Sequence, residues 1–278
     1  MIDITIIIIT YKSEKIIYDF IKRIPPNIKT IIIENSENYR LKKDIEKKYK
    51  NIKFYIKENN GVSSSINFAV EKIETNYFLQ ISPDINFNFE DLKIYLNLAK
   101  EKKDKFAAIG PRFLNVNNKS HKQIAENLEF GKIDSIHGSC MFINKDTFLD
   151  IGKFDENFFL YFEETDYCYR AKKKGFFSYQ INKSKVKSIG RSVEVEIDEN
   201  EYYSNILIWH FIWSKYYFSR KKYGKLLSII IFLPISIRIM FRIVLYKIIK
   251  NELLFKKYKS RFDGLYKSIK GEKSSLRP

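Results

Sequence analysis

Three carboxylates, Glu163, Glu164 and Asp166, fall within four positions of "FFLYFEETDYCYRAKKKGF" (158–176). Six aromatic residues lie around them between Phe158 and Tyr169. Burying an unpaired carboxylate is costly, so acid inside an aromatic run asks for a chemical reason. Partial desolvation and like-charge neighbours both push a carboxyl pKa up. That suits a general base taking a proton from a hydroxyl, and aromatic faces suit the apolar faces of sugar rings. The plainer alternative is a salt-bridged helix start, with Lys172, Lys173 and Lys174 as partners.

Other candidates stand where apolar runs end. Asp84 is the one carboxylate of "ISPDI". It could hold a divalent cation against a diphosphate, or simply turn the chain after Pro83. Glu34, at the end of "KTIIIEN", could accept from a nucleobase N–H or mark a strand-to-turn transition. Gly61, in "NNGVSSSINFAV", lets backbone approach a ligand closely, and the helix after it offers free N–H groups to an anion; a plain turn is the alternative. Lys187 and Arg191, in "KVKSIGRS", carry cations suited to phosphate. His137 precedes Gly138 and reads as structural or as lining an acceptor site. Cys140 and Cys168 form no CxxC and no metal-type spacing. Buried free thiols in a reducing compartment fit them best.

The elements that must position these residues are legible as alternation. "ITIIIIT", "KTIIIEN", "IKFYIKEN" and "NYFLQIS" read as strands. "SEKIIYDFIKRI", with Ser13 as N-cap, "RLKKDIEKKYK", "GVSSSINFAVEKI" and "FEDLKIYLNLAKEKK" read as helices. Such alternation predicts an α/β fold with a largely parallel central sheet. In open sheets of this kind ligands bind beyond the carboxyl ends of the strands. The residues to inspect are therefore Thr10 and Tyr11, Glu34 and Asn35, Asn59 to Gly61, and Ser82 to Asp84. Residues 115–135 read as a long loop or short hairpin, and "IHGSCMFINKDTFLDIG" as a strand followed by a helix. The N-terminal "MIDITIIIITYKS" reads as a buried strand rather than a leader, since Asp3 replaces a basic start and the apolar run is short.

The net charge of +17 is unevenly spread. Residues 1–201 hold 33 Lys/Arg and 30 Asp/Glu, whereas 202–278 hold 17 and 3. The composition shift places a domain over 1–201 and a helical, basic, amphipathic extension over 202–278. Its core is "LLSIIIFLPISIRIMFRIVLYKII" (226–249), in which Pro234, Arg238, Arg242 and Tyr246, with Lys250 just after it, fall at steps of four, one polar stripe on a helix. Arginines near the middle of a span are expensive. A segment lying in the membrane interface, basic residues on anionic headgroups, is preferred. A packed helix or a true span is the alternative.

Taken in order, "IIIITYKS", "IIIENSE", "KENNGVSSSINFAV", "QISPDI" and the long block from Gly138 to Phe176 resemble family 2 glycosyltransferases of the GT-A fold. The last block is similar to rhamnosyltransferase-like members that build bacterial surface polysaccharide. The resemblance spans roughly residues 4 to 192 and implies an inverting hexosyltransferase-type enzyme. Its donor would be a nucleotide sugar, dTDP-rhamnose or a UDP-hexose, and its acceptor a glycan or lipid-linked glycan at the cytoplasmic face of the cell membrane. It implies nucleotide contacts from Thr10, Tyr11, Glu34, Asn59, Gly61, Asn67 and Ser82, and Asp84 as ligand to Mg2+ or Mn2+. It implies diphosphate contacts from Lys187 and Arg191, Glu164 as base, and Glu163, Asp166 and His137 as acceptor-orienting groups. Two departures stand out. The base is Glu rather than the family's usual Asp, and Ser188 stands where members often carry a His that helps hold metal or diphosphate. The second implies weak metal dependence, and both leave room for a non-catalytic sugar- or nucleotide-binding relative. Nucleic-acid binding rests on charge alone, with no recognisable motif.

Overall fold

The computed structural model describes residues 3–115, 122–190 and 200–278. The chain forms two compact units, one of Met1–Asp155 with Glu164–Glu194, the other of Glu156–Glu163 with Val195–Pro278. The division falls ahead of the composition shift at 202, and it assigns a short internal stretch to the C-terminal unit.

The N-terminal unit opens on β1 (Ile4–Thr10), α1 (Glu14–Ile21), β2 (Lys29–Glu34), α2 (Tyr39–Lys48), β3 (Ile52–Ile56), α3 (Val62–Lys72) and β4 (Tyr77–Ile81). After the short β5 (Ile85–Asn86) come α4 (Leu92–Glu101), β6 (Phe106–Phe113), β7 (Phe130–Ile133), β8 (Cys140–Asn144), α5 (Lys145–Ile151), α6 (Glu163–Lys173) and β9 (Phe177–Ser188). The strand order is β3-β2-β1-β4-β8-β6-β9-β5, with β7 also on β9. β1, β2, β3 and β4 pair in parallel, and β6 pairs β9 in parallel. β8 runs against both β4 and β6. Six main strands thus point one way. β1, β2 and β4 are buried almost throughout, which is why they read as continuous apolar runs rather than as alternation. One face packs on a core containing Phe20, Leu41, Tyr95 and Phe142. The other packs on Ile66, Val70, Phe148 and Tyr167.

Smaller expectations meet detail. Ser13 begins α1 but makes no side-chain cap, its Oγ donating instead to Tyr11 O at 3.0 Å. The stretch 115–135 contains β7, a β-ribbon on β9, while 116–121 lies outside the described residues.

The described residues of the C-terminal unit after 199 form the helices α7 (Asn200–Tyr223), α8 (Lys225–Ile248) and α9 (Glu252–Lys270). Ile212, Tyr216, Phe232, Ile239, Tyr258 and Leu265 form its core. Gly264 lets α9 approach α7, since a Cβ there would stand 2.6 Å from Trp209 O. The expected polar stripe of α8 is divided. Arg238 stays exposed, whereas Arg242 hydrogen-bonds the Tyr258 hydroxyl and Tyr246 stacks on the Tyr258 ring at 5.5 Å. α8 therefore turns part of its polar stripe to α9 and its apolar face outward.

Candidate functional site

Because six main strands share a direction, their carboxyl ends share an edge. Thr10 ends β1, Glu34 ends β2, Ile81 leads into Ser82–Asp84, and Ser188 ends β9. β8 runs the other way, so its start, with His137–Ser139 before it, reaches the same edge. Ser82 N donates to Ser139 O at 2.9 Å.

Glu34 is fully buried here. Thr10 Oγ1 donates to its Oε2 at 2.6 Å, Ser36 N donates to Oε1 at 2.6 Å, and the Ser36 hydroxyl also bonds Oε1. The carboxylate thus ties the β1 and β2 ends together. The sequence signal for Ser36 is a hydroxyl two residues past a strand-ending acid. Asn35 and Ser65 exchange side-chain hydrogen bonds at 2.9 and 3.2 Å, fixing α3 to the same corner. Tyr11 is half-buried. Gly61 caps α3 with φ 94°, a conformation that favours glycine, and its N–H donates weakly to Asn59 Oδ1 at 3.4 Å.

Asn67 has another task than the one expected. Its amide donates to Phe154 O at 2.9 Å and accepts from Phe154 N at 3.1 Å, and the residue is buried. It clamps α3 to the segment after α5, which argues against nucleotide contact.

Asp84 and Ser188 are neighbours. β5 pairs with the end of β9, Ile85 opposite Ser188, and Ser188 Oγ donates to Asp84 Oδ2 at 2.6 Å. Burial pushes the Asp84 carboxyl up from its ordinary range, and the Ser188 hydrogen bond opposes that. Lys187 stands one residue earlier, exposed. Arg191 lies outside the described residues. Among the described residues no three His, Cys, Asp or Glu side chains cluster as a metal site. Mg2+ and its like bind through one or two carboxylates completed by substrate phosphates. Asp84 fits that pattern, as one oxygen ligand whose buried charge a cation would relieve.

The acid cluster opens α6. Glu163 is buried, Glu164 half-buried, and Thr165 Oγ1 donates to Glu164 Oε1 at 3.0 Å. Asp166 is fully buried, and Arg170 Nε donates to it at 2.7 Å one turn on. Arg170 also donates to Ile151 O at 2.9 Å and Lys153 O at 2.6 Å. Asp166, expected to orient the acceptor, is here held by Arg170 and anchors α6. The salt-bridged alternative fails for the lysines: Lys172 pairs with Asp134 and Lys174 with Asp150, while Lys173 sits over the Tyr169 ring. His137 Nδ1 lies 2.7 Å from Ser139 Oγ, with its ring against Phe113 at 4.5 Å. That contact shapes the loop before β8.

The mostly parallel sheet is shared with solved glycosyltransferases of the GT-A fold. The mannosyltransferase PcManGT from Pyrobaculum calidifontis, in complex with GDP-Man and Mn2+, matches at TM-score 0.60 and 11% identity, covering 96% of this chain and 87% of that one. S. aureus TarS 1-349 in complex with UDP-GlcNAc matches at TM-score 0.55 and 14% identity, covering 97% and 92%. Residues 5–172 match Glycosyl transferase family 2, and the chain belongs to that family. It is also similar to the low-salt glycan biosynthesis hexosyltransferase Agl10 of Haloferax volcanii, 27% identical over 195 residues. That match covers 62% of this chain and 62% of the relative's length.

Proposed function

We propose that the chain is an inverting glycosyltransferase that moves a hexose-type sugar from a nucleoside-diphosphate donor to a glycan or lipid-linked glycan. The observation that carries this is the convergence of Thr10, Glu34, Asp84 and Ser188 on one sheet edge, in a chain of this family. The family match, the hexosyltransferase relative and neighbours solved with GDP-Man or UDP-GlcNAc support a nucleotide-sugar donor.

In the proposed reaction the acceptor oxygen attacks the anomeric carbon opposite the leaving diphosphate. The new carbon–oxygen bond forms as the bond to phosphate oxygen breaks, and its electron pair leaves with the nucleotide. Glu164 takes the acceptor proton, and its half-buried setting at the start of α6 suits a base. Tyr11, Glu34, Asn59 and Gly61 hold the nucleotide, with Ser82 beside them, Glu34 acting as much by shaping the edge as by contact. Lys187, and Arg191 from outside the described residues, are the diphosphate-binding candidates in this reading, and Glu163 and His137 the acceptor-orienting ones. A cation on Asp84 would neutralise charge on the diphosphate. With Ser188 in place of a histidine, metal dependence is weak. A dTDP-rhamnose donor and a role in surface polysaccharide are the narrower form of the proposal.

The membrane part rests on α8. It is long and apolar enough to cross a membrane by length and composition, with mean hydropathy 2.1, and little of it is buried. Leu226, Ile230, Leu233, Ile237, Phe241 and Val244 form a continuous exposed apolar stripe. Exposed Lys222 and Lys225 precede it, and Lys247 and Lys250 follow. A stripe bounded by cations fits an anionic lipid surface, with the helix lying in the interface at the cytoplasmic face.

A thermal-shift panel of UDP, dTDP, GDP and CDP, each with and without Mn2+, tests the donor site. A ligand at a hundredfold excess over its Kd stabilises by about 2.7 kcal/mol. One selective nucleotide supports the reading. No shift with any of them moves it to a non-catalytic relative.

A further inference from the structure

The stretch Glu156–Glu163 belongs to the C-terminal unit, yet it leads directly into the helix that bears Glu164. Its last turn is unusual. Tyr161 and Phe162 have φ of 68° and 69°. Two consecutive non-glycine residues in the left-handed region are rare. Such a backbone persists only where its surroundings enforce it, and it gathers at functional sites.

Helix α7 meets this stretch residue by residue. Tyr217 packs edge-on against Phe158 at 4.9 Å. His210 stacks on Phe159 at 4.5 Å, and burial holds its pKa down to about 4, so it is a neutral ring at neutral pH. Ser214 Oγ donates to Leu160 O at 2.8 Å. Phe211 touches both Tyr161 and Phe162 with ring centroids 5.6 Å away. Positions 210, 211, 214 and 217 share one helical face. Four of the six aromatic rings flanking the acid cluster are therefore packed on α7.

We propose that α7 is a positioning element for the carboxylates of α6, with Ser214 and Phe211 as positioning residues. They hold Tyr161 and Phe162 in the left-handed conformation, which fixes the backbone from which Glu163 and Glu164 start. The proposal rests on the reading of Glu164 as the base. A base must lie within hydrogen-bond reach of the proton it takes, and a shift of about 1 Å costs on the order of a hundredfold in rate.

Two serines make the test. Ser214→Ala removes the bond to Leu160. Ser268→Ala removes a bond made by a comparably buried serine of the same unit, Ser268 Oγ to Trp213 O at 2.9 Å, that does not touch the 158–162 stretch. Hydrogen exchange of peptides covering 158–166 is measured in the full chain, together with turnover of the nucleotide sugar that the wild type accepts from a UDP-, dTDP- and GDP-sugar panel. Ser214→Ala is expected to speed exchange there and lower kcat roughly 10- to 100-fold with donor Kd unchanged. Ser268→Ala is expected to lower Tm alike and leave both untouched. Unchanged exchange in Ser214→Ala, or the same change in Ser268→Ala, overturns the proposal. Phe211→Leu, at a ring 45% exposed, carries the same readouts if Ser214→Ala does not fold. Absence of turnover by the wild type would sink the transferase reading, while the exchange comparison still decides the clamp.

Discussion

Removing the Ser188 hydroxyl perturbs the donor edge at one bond. That hydroxyl donates to Asp84 at 2.6 Å, and Asp84 is 8% exposed. Burial raises the Asp84 pKa from its ordinary 3.8, and the Ser188 bond is the larger of the effects holding it down. Ser188→Ala therefore raises it further and leaves a buried carboxylate short of a donor. A hydrogen bond to a charged group contributes about 1.5–3 kcal/mol. In a domain of this size each kcal/mol moves Tm by about 2–4 °C, so the expected loss is roughly 3–12 °C at neutral pH. The sign with pH follows from linkage. A carboxyl with a raised folded pKa is most favourable to folding when protonated, and that contribution falls as pH rises from the unfolded value through the folded one. The variant extends this fall, so its deficit is largest at neutral pH and shrinks in acid. Differential scanning fluorimetry in EDTA across acid to neutral pH reads this directly. Repeating it with the nucleotide selected from the panel and Mn2+ should narrow the gap, because a cation supplies the charge partner the hydroxyl no longer assists. A deficit under about 1 °C at neutral pH, or one equal at both ends of the range, refutes the reasoning.

Other outcomes follow from the same geometry. Asn67→Ala loses two buried hydrogen bonds to Phe154 and should cost about 1–3 kcal/mol in urea unfolding, with nucleotide affinity unchanged. His210 contacts Ser274 Oγ at 2.9 Å and Leu276 O at 2.8 Å, with Arg277 nearby adding to the effect of burial on its pKa. With a folded pKa of about 4, only the unfolded state gains a proton as pH falls below about 6.5. Stability should therefore drop by up to about 3 kcal/mol between there and pH 4, read by Trp fluorescence, and His210→Gln should flatten that slope. Ile237→Asp with Phe241→Asp should abolish co-sedimentation with anionic vesicles at low salt while leaving nucleotide binding intact, since both side chains are exposed.

What the sequence made legible was the part governed by local pattern. Continuous apolar runs marked the buried strands, and the residues just past them did gather on one edge. Spatial pairings were less legible. The Asp84–Ser188 bond joins residues far apart in sequence through the β5–β9 ribbon, so Asp84 and the Ser188 departure could be seen singly but not as a pair. Asp166 carried a signal in Arg170 four residues on, but nothing local says that Arg170 also ties down Ile151 and Lys153. The aromatic run was read for desolvation and sugar stacking. Four of its rings instead meet α7, whose positions 210, 211, 214 and 217 show the matching helical spacing only once the partner is known.

The most direct test of the central claim compares nucleotide-sugar turnover by the wild type and Glu164→Gln, with nucleotide affinity measured on both. The substitution keeps size and hydrogen bonding but removes the base. Turnover is expected to fall by two to four orders of magnitude with nucleotide Kd unchanged. Turnover within about threefold of wild type would contradict Glu164 as the base, and with it the chemistry assigned to the acid cluster.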